Sequence, residues 1–179
     1  MTEHATHDRP RTLLETRRLV LRELSFEDLD FVAAMLADPA VMRFYPKCHT
    51  RAEAREWIAR QRDRYARDGH GLWLVHDRTG DQPVGQVGLS LQPIDGVQLP
   101  EIGWLLHRPF WGRGLATEAA AAVRDYAFGA RGYPRVVSLI QPDNAPSQAV
   151  AYRLGMTVAG RTRWAGIVHD VFGLARAAP

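Results

Sequence analysis

The first apolar rhythm along the chain is an alternation. In RRLVLREL, which starts at Arg17, Leu19, Leu21 and Leu24 share a face, and the pattern predicts a strand. From Ser25 the period lengthens to that of a helix. Phe26, Leu29, Phe31, Val32, Met35 and Leu36 form its stripe, Ser25 and Asp28 stand like a capping box, and Pro39 ends the run. A second helix starts at Thr50, where T-x-x-E with Glu53 is a capping box. Its stripe is Trp57, Ile58 and Tyr65, its i,i+4 ion pairs are Glu56–Arg60 and Asp63–Arg67, and Gly69 is its stop. Strands are predicted over residues 72–77, 84–92 and 98–107, with the turn-rich RTGDQP and PIDG between them. A helix over 114–128 turns Leu115, Ala119, Val123 and Tyr126 inward. A strand over 136–141, a helix over 146–154 (Pro146 at its start, Gly155 at its end) and strands over 157–163 and 167–175 complete the chain. The sum is an α/β domain over residues 11–176: a mixed, mostly antiparallel sheet of about seven strands, four helices and one strand–helix–strand crossover.

Composition narrows the function without naming it. The chain has 179 residues, the size of one ordinary domain, and 46% of them are hydrophobic, so a substantial core is expected. Residues 1–10 are polar and are expected to be a disordered tail; His4 and His7 within it read as accidental rather than as a metal site. No apolar run reaches the roughly 20 residues of a membrane helix. The single cysteine, Cys48, leaves no disulfide framework or cysteine-rich zinc site and suits a reducing cytoplasm. The net charge of +3 is spread along the chain, so no nucleic-acid partner is expected; no membrane partner and no metal are expected either. All but one of the 23 basic residues are arginines, the side chain best suited to phosphate and carboxylate.

The chemistry concentrates in EIGWLLHRPFWGRGLATE, Glu101 to Glu118. A strand enters a loop holding Gly112 and Gly114 and passes straight into a helix. Helix starts carry unpaired N–H groups and a partial positive charge, which together hold anions. Glycines let that backbone approach a diphosphate, and Arg113 adds a cation, although the same spacing also serves a plain tight turn. A dinucleotide fold is excluded because Thr117 stands at the third glycine and the next strand ends in Gln141 rather than an acid. A Walker loop is excluded because no Gly-Lys-Ser/Thr follows.

WGRGLATEA resembles the acyl-CoA-binding motif of the GNAT superfamily of N-acetyltransferases, and in particular its RimJ/RimL-like branch of ribosomal-protein N-terminal acetyltransferases. LETRRLVLREL, DPAVMRFYP, EIGWLL, Asn144-x-x-Ser147-x-x-Val150 and Arg153-Leu-Gly-Met156 match in register, so the likeness spans about residues 12–176. The resemblance implies a bulged strand that splays from its parallel neighbour, the two strands ending near Leu106 and Gln141. Pantetheine of acetyl-CoA lies in the gap. The N–H groups of Gly112, Arg113, Gly114, Leu115, Ala116 and Thr117 hold the diphosphate, Asn144 bonds the pantetheine arm, and the amide near Leu106 steadies the thioester oxygen.

The same resemblance makes Glu101 the carboxylate that takes the amine proton. The family's usual proton donor, a tyrosine seven residues after the asparagine, is Ala151 here. Tyr152 is one residue on, a turn of about 100°, and is not assigned the role. Ser147 is assigned to the thiol end instead. Trp111 stands where the motif usually begins with Gln or Arg, and Met156 where the family has phenylalanine. His169–Asp170 resembles a pair that recurs in the branch, while His107 merely flanks the loop and Cys48–His49 is no dyad on adjacency alone.

The implied reaction is direct attack of a primary amine on acetyl-CoA in a ternary complex. The acceptor is a protein N-terminal α-amine or a small-molecule amine, chosen by loops around 39–50, 93–98 and 161–168. An α-amine, with a pKa near 8, needs less help from one base than a lysine does. Relatives are often dimers, so a second copy of the chain is one partner the resemblance allows. The competing reading is a non-catalytic acyl-CoA-binding sensor or interaction module.

Overall fold

The computed structural model describes residues 10–177. The expected tail, with His4 and His7, lies outside the described residues apart from Pro10. In chain order the elements are β1 (Thr12–Glu15), β2 (Leu19–Arg22), α1 (Leu29–Ala37), α2 (Arg51–Asp68), β3 (Leu72–Asp77), β4 (Gln82–Ile94), β5 (Val97–Leu106), α3 (Leu115–Phe128), β6 (Arg135–Ile140), α4 (Ala145–Arg153), β7 (Thr157–Trp164) and β8 (Ile167–Ala175). The strands form one sheet in the order β1-β2-β3-β4-β5-β6-β8-β7, antiparallel except where β5 meets β6.

The sheet therefore has eight strands among the described residues, not seven. The added strand is β1. Its register against β2 shifts between Thr12 and Leu14, and Leu13 and Leu14 both pack against the core. The shift breaks the two-residue period, which is why TLLE does not read as a strand. Ser25 and Asp28 do form a capping box, but the turn they cap, Phe26–Asp28, is 3-10, and α1 starts only at Leu29. Phe26 is exposed beneath the guanidinium of Arg55, 4.4 Å from its ring centre, rather than part of the buried stripe.

Helices cover both faces. Leu19, Leu21, Trp73, Val87, Leu89 and Ile102 pack with α3 and α4, while Leu74 packs with α1 and α2. Leu24, expected beside Leu19 and Leu21, belongs to this second layer, because the chain has left β2 by then and turns over the sheet edge. The Thr50/Glu53 capping box starts α2 and Gly69, at φ 75°, ends it. Arg67 closes on the adjacent Asp68 at 2.7 Å rather than on Asp63. Trp57 and Tyr65 tie α2 to the sheet through polar tips. The Trp57 indole donates to Gln86, and the Tyr65 hydroxyl donates to the Leu72 carbonyl and accepts from the Leu24 N–H.

Candidate active site

The site is built where the sheet fails to close. β4 and β5 pair continuously from Gly85↔Leu106 to Ile94↔Val97, with no register shift. The expected bulge in β5 is therefore absent from this pairing, and the opening lies wholly between β5 and β6. Those two pair at one register position, Glu101↔Val137, next to a bond from the Ser138 hydroxyl to the Ile102 carbonyl (2.7 Å). Beyond it the strands part. Antiparallel pairing uses the backbone of alternate residues. His107 N–H bonds the Val84 carbonyl at 2.9 Å, so Trp104 and Leu106 turn their backbone groups away from β4, toward the opening. The Leu106 carbonyl is taken by the Trp111 indole N–H at 2.7 Å. The position that usually carries Gln or Arg thus tethers the loop to the end of β5.

The glycine loop sits at the mouth of this opening. Gly112 and Gly114 have φ of 71° and 72°, the left-handed region that costs other residues about 1–2 kcal/mol. Gly114 is the cap of α3 and has no side chain to bond the helix start. The first intrahelical bond comes from Glu118 N–H to the Gly114 carbonyl, which leaves the N–H groups of Leu115, Ala116 and Thr117 free of helical partners. Arg113 lies with its guanidinium 5.5 Å from the Phe110 ring centre.

Three residues with no role in the sequence reading, Thr16, Arg18 and Glu118, hold this loop. Glu118, on the first turn of α3, accepts from the Thr16 hydroxyl (2.6 Å), the Arg18 backbone N–H (2.9 Å) and the Arg18 Nε (2.6 Å). Arg18 then donates to the Arg113 carbonyl at 3.0 Å. The β1–β2 turn is thereby fastened to the glycine loop from a sequence distance of 95 residues. Burial pushes the Glu118 carboxyl up, but its three donors outweigh that and hold it below its usual value. The only sequence trace of this arrangement is that TRR and ATE both belong to matched motifs.

Glu101 stands at the base of the opening. Burial raises its pKa, and the Gln92 side chain, the Leu139 N–H (3.4 Å) and the charge of Arg64 offset this only in part. Tyr45, from the segment after α1, is close enough for the Glu101 charge to act on it. Burial first and Glu101 second push its phenol up to about 12, so it stays a neutral O–H donor. The Gln141 amide bonds the Phe44 carbonyl at 2.7 Å and ties that segment to the end of β6. Between α2 and the β4–β5 hairpin lies a cavity of about 650 Å³, lined in part by Arg64 and Gln92, which both act on Glu101. Tyr45, Arg64 and Gln92 were not singled out in the sequence, because three separate elements bring them to Glu101.

On the other helical face, Asn144 caps α4 and its side-chain oxygen accepts from the Ser147 N–H at 3.3 Å. Ser147 is therefore not the cap. Its hydroxyl oxygen instead accepts from the Trp104 indole at 3.3 Å, from α4 to β5. Ala151 is fully buried, while Tyr152 is more than half exposed and packs edge-on against Phe172, 5.3 Å between ring centres. His169 and Asp170 do not act as a pair. His169 bonds the Ile167 carbonyl at 3.0 Å, and Asp170 bonds Arg161 at 2.7 Å. His107 lies edge-on to Phe31, and Cys48 is exposed beside a His49 ring that packs on Trp57. Among the described residues no cluster of side chains could hold a metal ion, and no helix is long and apolar enough to cross a membrane.

A sheet parted beside a glycine-capped helix, with a carboxylate at the base of the gap, defines an acyltransferase fold. The acetyltransferase (GNAT) domain model matches residues 18–157, and the chain belongs to that family. It is 34% identical to the uncharacterized protein YkkB of Bacillus subtilis over 147 residues, which cover 82% of this chain and 86% of YkkB. Among solved structures it is similar to a putative GnaT-family acetyltransferase from Bordetella pertussis, at TM-score 0.80 and 26% identity. That likeness covers 92% of this chain and all of the other. It also shares its fold with RimL, the ribosomal L7/L12 alpha-N-protein acetyltransferase, solved in complex with coenzyme A. The TM-score is 0.75 and the identity 20%, covering 93% of this chain and 97% of RimL.

Proposed function

We propose that residues 11–176 form one catalytic domain that transfers an acetyl group from acetyl-CoA to a primary amine, by direct attack in a ternary complex. The acceptor is a protein N-terminal α-amine or a small-molecule amine, and the motif pattern favours a place in the RimJ/RimL-like branch. One observation carries this reading above the others. A carboxyl with a raised pKa, Glu101, lies at the base of the one parallel strand pair among the described residues, with the open backbone of Trp104 and Leu106 further along its strand and with Arg64 and Gln92, from the cavity under α2, acting on it.

In this reading the N–H groups from Gly112 to Thr117 bind the diphosphate and Asn144 bonds the pantetheine arm. The amine nitrogen attacks the thioester carbon, and Glu101 takes the amine proton directly or through water. The Leu106 N–H bonds the oxyanion. As the carbon–sulfur bond breaks, the thiolate takes a proton from the Ser147 hydroxyl, which solvent then restores. Because the Ser147 oxygen already accepts from Trp104, its own proton is free to point at sulfur.

Ala151, at the usual tyrosine position, favours the second reading, an acyl-CoA-binding sensor without turnover. Calorimetry with coenzyme A and acetyl-CoA, followed by thiol release with a panel of amines and peptides, separates the two. Binding with turnover that falls in Glu101→Gln and Ser147→Ala supports transfer. Tight binding with no turnover on any amine supports the sensor, and no binding of either form of the coenzyme removes both.

A further inference from the structure

The cavity between α2 and the β4–β5 hairpin holds a guanidinium that makes no ion pair among the described residues. α2 lines it with Arg60, Asp63, Arg64, Arg67 and Asp68, and the β4–β5 hairpin closes the other side at residues 91–93 and 98. The arginines are not equivalent. Arg67 is held on two nitrogens by Asp68, at 2.8 and 2.7 Å. Arg60 leans toward the Trp57 ring. Arg64 is half-buried, and its hydrogen bonds among the described residues are long ones to neutral oxygens, 3.4 Å to Gln61 and 3.3 Å to Ser90. Among the described residues it makes no ion pair. A partly desolvated guanidinium without a carboxylate is costly, and a bidentate anion is the partner that its planar fork suits best.

The position of Arg64 relates it to the reacting centre. Ser90, which it touches, is directly opposite Glu101 in the β4–β5 pairing, so both side chains rise from the same face of the sheet. Neighbouring strands lie about 4.8 Å apart. The guanidinium and the carboxyl thus lie on one face of the sheet, close enough for each charge to act on the other. Burial presses the Arg64 guanidinium below its usual range; the charges of Glu101 and Asp68 pull it up, and those of Arg67 and Arg60 push it down.

Building on the acetyl-transfer reading, we propose that Arg64 recognises an acid group on the acceptor, so that the substrate is a primary amine bearing a carboxylate or phosphate a few bonds from its nitrogen. The amine lies at Glu101 and the anion on Arg64, with the cavity holding the body between them. Its volume is in the range of small-molecule sites.

The test uses matched probes with the full chain and acetyl-CoA. These are amino acids against their carboxamides, phosphoethanolamine against ethanolamine, and short peptides with Asp or Glu at the second position against Asn or Gln. The expected result is a preference for the acid member of about ten- to hundredfold in kcat/KM, the range that charge-assisted bonds supply. That ratio should collapse toward one in Arg64→Gln and recover in part in Arg64→Lys, with both variants checked by their melting curves. The pair that shows the preference distinguishes carboxylate from phosphate and a free small molecule from a peptide. Turnover with no preference for acids, or a preference that survives Arg64→Gln, overturns the proposal while acetyl transfer stands. If no amine turns over, calorimetry of the acid probes in the presence of coenzyme A decides. Acid-selective binding lost in Arg64→Gln upholds the anion site though transfer fails, and its absence removes both.

Discussion

A carboxyl surrounded by protein holds its proton longer than one in water, and at Glu101 this suits the proposed role as base at a cost to stability. A raised pKa makes the carboxylate a stronger base toward an amine proton. Its folded pKa lies above the unfolded one, so the folded state binds the proton more tightly. Stability therefore falls as pH rises from the unfolded pKa through the folded one, and the charged form is the less stable above both. Glu101→Gln should lower kcat/KM by about 10²–10⁴-fold and leave coenzyme A affinity intact. It should also raise the denaturant midpoint at pH 8, with the gap to wild type closing toward pH 4. A variant that is less stable at pH 8 would contradict this account of the site. Ser147→Ala should lower kcat by about 10²-fold with KM for acetyl-CoA little changed, read by thiol release. A loss expressed only in KM would assign Ser147 to binding.

At the scale of elements, the glycine loop depends on a strand turn far from it in sequence. Thr16 and Arg18 have no contact with the expected reacting atoms, yet they fix Glu118 and the Arg113 carbonyl. They are positioning residues. Arg18→Ala should weaken coenzyme A binding by about tenfold, or about 1.4 kcal/mol, with the pH profile of turnover unchanged because Glu101 is untouched. Arg18→Lys should restore only part of it, since lysine cannot serve both acceptors with one planar group. Calorimetry and the pH–rate profile check the two halves. The depressed pKa of Glu118 adds an acid limit: its stabilisation is present above the unfolded pKa and is lost as pH falls through the folded one.

The whole molecule joins loops that the sequence only lists in order. Two of the three expected acceptor loops are linked, because the Thr162 hydroxyl on β7 donates to Asp95 at the tip of the β4–β5 hairpin at 2.7 Å. Thr162→Val should raise KM for the acceptor severalfold and leave KM for acetyl-CoA unchanged in two-substrate kinetics. Equal effects on both would show a general loosening of the fold.

Local physics made much of this protein readable. Capping boxes at Ser25 and Thr50, stops at Gly69 and Gly155, and the helical stripe from Leu115 to Val123 lie within a turn or two of chain, so short spacings reveal them. The irregular β1, the 3-10 turn under Ser25 and the true side of Leu24 were hidden, since each depends on where the chain turns rather than on periodicity. In the same way, the spacing of Gly112 and Gly114 before an amphipathic helix marked a candidate anion-holding turn, although the same spacing also serves a plain tight turn. The linear pattern thus determined most of the elements and the glycine-capped turn, and the family resemblance added Glu101 as the candidate base. Only the folded sheet decided that Arg18 and Glu118 brace that turn, that Trp104 meets Ser147, and that Arg64 and Tyr45 come within reach of the Glu101 charge. These are contacts between elements dozens of residues apart, set by strand order and pleat, which no local spacing encodes.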